Sequence, residues 1–132
     1  MVEAVRPLVV AVDDDPAVLS ALTRLLINEP YEFISTVDPD RALELVRTRD
    51  VSLLLADYRM PQLSGTGLLQ VVKATSPATI RVMLTAYPRS TWVLRAWEME
   101  LMEDVLEKPW DNDELREAIR SRLFGTKEPA GS

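Results

Sequence analysis

The chain contains neither cysteine nor histidine among its 132 residues. That excludes a disulfide framework, a zinc site built from the usual ligands, a catalytic thiol and an imidazole base. Cations are also scarce, with 15 lysines and arginines against 21 aspartates and glutamates and a net charge of −6. Such a balance disfavours loose binding to the phosphates of nucleic acid or to anionic lipid. No apolar run approaches the length of a membrane span, and the N-terminus lacks the ordered regions of a signal peptide, so a soluble cytoplasmic protein is expected. What remains open to the chain is hard oxygen chemistry. Hydrophobic residues make up 47% of it and charged residues 27%, enough for one core of ordinary size.

Five short apolar runs recur: Leu8 to Val12, Tyr31 to Ser35, Val51 to Ala56, Ile80 to Leu84 and Asp104 to Glu107. Their length and spacing predict strands. Between them lie stretches of helical period, among them Val18, Leu22, Leu25 and Leu26, and later Leu115, Ala118 and Ile119. Asp15-Pro16, Asp38-Pro39, Ser64-Gly65 and Asp111-Asn112 stand just ahead of apolar-periodic stretches, as helix starts do. The pattern is therefore (βα)5, an α/β chain with a doubly wound parallel sheet covered by helices on both faces. The first and third runs are nearly continuous in apolar residues and read as central strands, whereas the second and fifth are mixed and read as edges. Residues 1–124 are expected to form the domain. Residues 125–132 carry no bulky apolar anchor and are expected to be a disordered tail or a truncated linker. On the fourth helix, Trp92 is placed outward and Trp97 inward by its spacing from Val93.

In an open α/β sheet, ligands bind beyond the carboxyl ends of the strands. The residues arriving there are Asp13, Asp14 and Asp15 after the first run, Asp57 after the third, Thr85 after the fourth and Lys108 after the fifth. Each alone has a bland reading: an acidic turn capping a helix, a turn residue before Pro61, a strand-end hydroxyl, an exposed cation. Together they form a set. Carboxylates within ~5 Å repel by several kcal/mol at an effective dielectric of about 20, so Asp13, Asp14 and Asp57 need a compensating cation. Lys108 and Mg²⁺ would supply it, because Mg²⁺ accepts an incomplete shell of carboxylates and water. An aspartate in such a place can attack phosphorus without a histidine, and the Lys108 ammonium and Thr85 hydroxyl can then meet the outer phosphoryl oxygens.

These residues lie in four stretches that resemble the receiver domain of two-component response regulators. They are Val9 to Pro16, Leu54 to Pro61 with Ser64-Gly65, Met83 to Tyr87, and Leu106 to Trp110. They come in the family's order and spacing, and the likeness covers roughly Leu8 to Leu123. The resemblance implies a flavodoxin-like fold with strand order 2-1-3-4-5. It also implies that Asp57 is the phosphoacceptor and that Asp14, Asp57 and the main-chain carbonyl of Arg59 hold Mg²⁺, with Asp13 acting mainly through water. Thr85 and Lys108 would contact the phosphoryl oxygens, and the Lys108–Pro109 peptide would be cis. The implied partners are a histidine kinase or phosphotransfer protein as donor and an output domain or target at the face of the fourth helix, fifth strand and fifth helix. A homodimer is left open. Such a module is not an enzyme, catalysing only its own phosphorylation and dephosphorylation.

Three departures from the family pattern stand out. Val105 replaces the usual aromatic three residues before the lysine, so a ring-rotation switch coupled to Thr85 is incomplete. Glu100-Leu101 stands where a Gly-Ala pair is usual, which is expected to alter the turn before the fifth strand. Arg59 and Tyr87 occupy positions that tune phosphoryl lifetime. Arg59 also argues against a phosphatase of the haloacid dehalogenase type, which wants an aspartate there, and the three aspartates after the first run argue against a flavin carrier. A receiver-like interaction module that is never phosphorylated remains the main alternative. Nine acidic residues lie between Glu98 and Glu117 against Lys108 and Arg116. That side serves either solubility or a basic partner.

Overall fold

The computed structural model describes residues 6–57 and 65–125. Its elements are β1 (Leu8–Val12), α1 (Pro16–Leu26), β2 (Glu32–Thr36), α2 (Pro39–Thr48), β3 (Val51–Asp57), α3 (Gly65–Thr75), β4 (Ile80–Thr85), α4 (Thr91–Glu98), β5 (Asp104–Glu107) and α5 (Asn112–Phe124). The strands form one parallel sheet in the order β2-β1-β3-β4-β5. Side chains along each strand alternate between two cores. Val10, Val12, Leu54, Ala56 and Met83 pack under α2, α3 and α4 with Leu45, Leu68, Val72 and Val93. Val9, Ala11, Leu53, Leu55 and Leu84 pack under α1 and α5 with Leu22, Leu26, Leu115 and Ile119. Every residue of β1 is buried, whereas β2 is half-buried throughout, as a central and an edge strand should be.

Three of the expected helix starts carry side-chain caps. Asp15 accepts from the Ala17 N–H, Asp38 from the Asp40 N–H and Asp111 from the Glu114 N–H. Proline follows the first two caps at the position where a missing N–H costs nothing. Ser64, expected to open α3, lies outside the described residues, as do residues 126–132. Strand limits differ by one residue from expectation at four places: β2 runs from Glu32 to Thr36, and β3 and β4 run on to Asp57 and Thr85. The last two matter, because both side chains then stand on the sheet itself.

Trp97 is 40% exposed and so does not point inward. Val93 and Ala96 take the buried line of α4, leaving Trp97 on its flank. Trp92 is 36% exposed, in keeping with its outward placement.

After α4 the chain turns through Glu100 at φ +56°, a left-handed conformation that costs a non-glycine residue ~1–2 kcal/mol. Hydrogen bonds from the Glu100 N–H to the Trp97 carbonyl and from the Leu101 N–H to the Ala96 carbonyl close the helix there. Losing the usual glycine therefore leaves the turn in place. A buried arginine holds it: Arg81 on β4 donates from Nε to the Leu101 carbonyl at 2.8 Å and from Nη1 to the Thr79 carbonyl at 3.0 Å. Its Nη2 reaches Glu103 Oε2 at 3.1 Å, while Glu103 Oε1 accepts from the Arg81 main-chain N–H at 2.6 Å.

Tyr31, buried between α1 and α5, has a hydroxyl that meets no hydrogen-bond partner among the described residues. Burial first, and the charge of Glu29 second, push its ionisation well above the ordinary range, against the opposing pull of Arg120 and Arg116. The unfolded chain ionises near pH 10 while the folded one stays neutral, so this residue's contribution to stability is intact below about pH 10 and is lost as pH rises further. Tyr31→Phe removes an unpaired buried hydroxyl and is expected to raise stability by ~1 kcal/mol at neutral pH. Urea unfolding of both proteins at neutral pH and at about pH 10.5 checks this, with the variant showing the shallower alkaline loss.

Candidate functional site

Parallel strands deliver their carboxyl ends to one rim, and three of them bring charged side chains together there. Asp13 follows β1 and is 2% exposed, and Asp57 closes β3 at 8%. Asp14 is exposed beside them. One carboxylate oxygen from each of the three lies within 4.8 Å of the others. Lys108, the residue after β5, reaches between two of them: its Nζ lies 2.7 Å from Asp13 Oδ2 and 3.2 Å from Asp57 Oδ1. Its own N–H donates to the Thr85 carbonyl at 2.8 Å, which extends the β4–β5 pairing into the site, and the Lys108–Pro109 peptide is cis.

Burial works against the Lys108 charge, but the hydrogen bond and charge of Asp13 and then the charge of Asp57 outweigh it and hold the ammonium protonated above its ordinary range. Three carboxylates and one ammonium sum to −2. At an effective dielectric near 20, two carboxylates ~5 Å apart repel by about 3 kcal/mol, so the trio attracts further positive charge. Among the described residues, the converging metal-ligating atoms are carboxylate oxygens that do not close a cage, which suits a hard divalent cation that keeps water.

Of the expected set, Asp13, Asp14, Asp57 and Lys108 are thus brought together, Thr85 meets Lys108 through its main-chain carbonyl, and Arg59 lies outside the described residues. Asp15 separates from its neighbours: it caps α1, and its N–H donates to Asp13 Oδ1 at 2.9 Å, so it orients a site carboxylate instead of joining the cluster. Thr85 is buried, and its Oγ1 accepts from the Tyr87 N–H at 3.0 Å. That bond ties the threonine to the β4–α4 loop. The sequence hints at it only in that a threonine ending a strand often bonds the N–H two residues on.

Residues 9–120 match the family model described as the response regulator receiver domain. The chain belongs to this family. The receiver is 32% identical over 121 residues to the DNA-binding response regulator MtrA of Mycolicibacterium smegmatis, covering 92% of this chain and 52% of the relative. It is 32% identical over 118 residues to the transcriptional regulatory protein ZraR of Escherichia coli O157:H7, covering 89% of this chain and 26% of that one. This chain thus spans about half or less of the length of these curated relatives. Among solved structures, the signal receiver domain of an HD domain-containing protein from Pseudomonas fluorescens Pf-5 superposes with a TM-score of 0.86 at 32% identity, covering 93% of this chain and 90% of that one. A CheY-like receiver domain protein from Methanospirillum hungatei JF-1 gives 0.81 at 26% identity, covering 89% and 94%. The strand order and the flavodoxin-like architecture agree with these neighbours. As a receiver, the chain is a signalling module of two-component systems, and neither the phosphatase nor the flavin-carrier alternative is favoured.

Proposed function

We propose that this receiver takes a phosphoryl group onto Asp57 from a histidine kinase or phosphotransfer protein, in the cytoplasm, and passes the change to an output domain or partner. The observation that carries this reading is the Lys108 ammonium lodged between Asp13 and Asp57 inside the carboxylate trio. Mg²⁺ would be held by Asp14, Asp57 and the main-chain carbonyl of Arg59, with Asp13 acting through water. When bound, it supplies positive charge that lets a phosphoryl group approach the carboxylates. A carboxylate oxygen of Asp57 attacks phosphorus, and the donor group leaves. Lys108 exchanges part of its contact with Asp57 for a phosphoryl oxygen, and the Thr85 hydroxyl turns to another. Drawing Thr85 inward loads its bond to the Tyr87 N–H, so the loop from Thr85 to Ser90 and then α4 carry the change outward. Val105 swings no ring in response. No other substrate is turned over, and the only catalysis is self-phosphorylation and its reversal.

The test is intact mass after incubation with a small phosphodonor such as phosphoramidate. One added phosphoryl group is expected in Mg²⁺, and excess chelator should slow its appearance by about 100-fold or more. Equal modification in chelator would remove the metal from the reading. No modification with any small donor in Mg²⁺ would favour the unphosphorylated interaction module.

A further inference from the structure

Exposed bulk on this molecule gathers on α4 and its flanks, where Tyr87, Trp92, Leu94, Trp97 and Met99 are all substantially open to solvent. On the side of α4 away from β5, it borders a groove of about 390 Å³ against α3. Buried Ala96 and Leu101 make the floor, and Trp92 and Met99, at 36% and 45% exposure, make apolar walls. Gln70 from α3 with Thr91 and Arg95 from α4 complete the rim. That volume takes one or two large apolar side chains.

Among the described residues, the charge lining this groove is positive. The chain holds 21 acidic residues, yet none of the groove's lining side chains is acidic. Arg95 stands on the rim, and Lys73 of α3 is tied to the groove's end, where its Nζ donates to the Met99 carbonyl at 3.1 Å. Glu98 lies one turn beyond Arg95 and does not line it. An apolar slot edged by cations on a protein of net charge −6 complements a partner of one kind.

We propose that the α3–α4 groove docks an acidic amphipathic helix, placing a leucine-sized side chain between Trp92 and Met99 and carboxylates toward Arg95 and Lys73. Tryptophan and arginine are the side chains that most often anchor such contacts, and methionine adapts its shape to what enters. The helix-in-groove mode needs apolar anchors at i and i+3 or i+4, flanked by charge. This surface is distinct from the acidic α4–β5–α5 side, and the proposal stands whether or not Asp57 accepts a phosphoryl group.

The test uses the whole chain and three synthetic peptides of about 16 residues, long enough for four helical turns. One carries leucine at helical spacing with glutamate flanks, the second has lysine for every glutamate, and the third is the acidic peptide with its leucines scrambled. Two-dimensional NMR of amides and indole N–H groups reads the contact. Saturable shifts at the Trp92 indole and the Ala96 and Leu101 amides are expected for the first peptide alone, with binding weakened about tenfold or more by the exposed substitution Arg95→Glu. Trp97→Ala, on the other flank of α4, should leave that affinity unchanged. Three outcomes would overturn the proposal: equal binding of the lysine or scrambled peptide, shifts centred on Trp97 or Trp110, or no saturable shift.

Discussion

Asp57→Asn is expected to lose nearly all phosphoryl uptake and to leave the protein folded. An amide keeps the size and most of the hydrogen bonding of the carboxylate but lacks the anionic oxygen that attacks phosphorus, so uptake is expected to fall by about 100-fold or more. The fold should not suffer. Asp57 is one of three carboxylates sharing a single ammonium, and Lys108 keeps its 2.7 Å contact with Asp13 when Asp57 is neutralised. Removing one charge from a crowded anionic set relieves repulsion of a few kcal/mol while weakening the 3.2 Å contact with Lys108, so stability is expected to stay within ~1 kcal/mol in metal-free buffer. Intact mass and urea unfolding in chelator read the two effects. A variant that is both unfolded and unmodified would show that Asp57 is needed for structure.

Arg81→Met is expected to cost about 3 kcal/mol, the largest loss of stability among the substitutions considered. Methionine fills much of the volume, but the Leu101 and Thr79 carbonyls each lose a donor at about 3 Å in a buried place. Glu103 is partly exposed and can turn to water, so Glu103→Gln should cost only ~1 kcal/mol. The difference between the two identifies the carbonyls, not the ion pair, as what the arginine serves. Because those bonds hold the left-handed turn at Glu100, Arg81→Met should also loosen the entry to β5, seen as faster amide exchange at Leu101 and Glu103. A loss under ~1 kcal/mol for Arg81→Met would show that the turn holds without it.

Much of this architecture is legible in the sequence for a simple reason. Leu8 to Val12 and Leu53 to Ala56 are apolar on both faces, which only a sheet covered twice can use. The aspartates at 15, 38 and 111 punctuate helices by chemistry that acts within three residues. Asp13, Asp57, Thr85 and Lys108 converge because parallel strands end on one rim, so position along the chain translates directly into position in space. Other features depend on packing between elements and leave only faint marks. Trp97 lies one turn from Val93, but the buried line of α4 runs through Val93 and Ala96, and which flank is covered depends on the elements packed against it. Arg81 reads as a polar interruption in an apolar strand, and nothing nearby tells that Thr79, Leu101 and Glu103 will surround it. Glu100 is visible as a departure from the family's glycine, but its left-handed backbone follows from how α4 closes over Ala96 and Trp97. Arg59 lies outside the described residues, and its place in the reading rests on family resemblance.

In the proposed reaction Asp57 itself becomes the acyl phosphate. Borohydride reduces an aspartyl phosphate to homoserine, so treating the phosphodonor-incubated protein with borohydride and sequencing its peptides by mass spectrometry reports the modified position. Homoserine is expected at position 57 and nowhere else, formed only when Mg²⁺ was present. Homoserine at position 13 or 14, or a phosphoryl group that survives reduction on a serine, threonine or tyrosine, would contradict it.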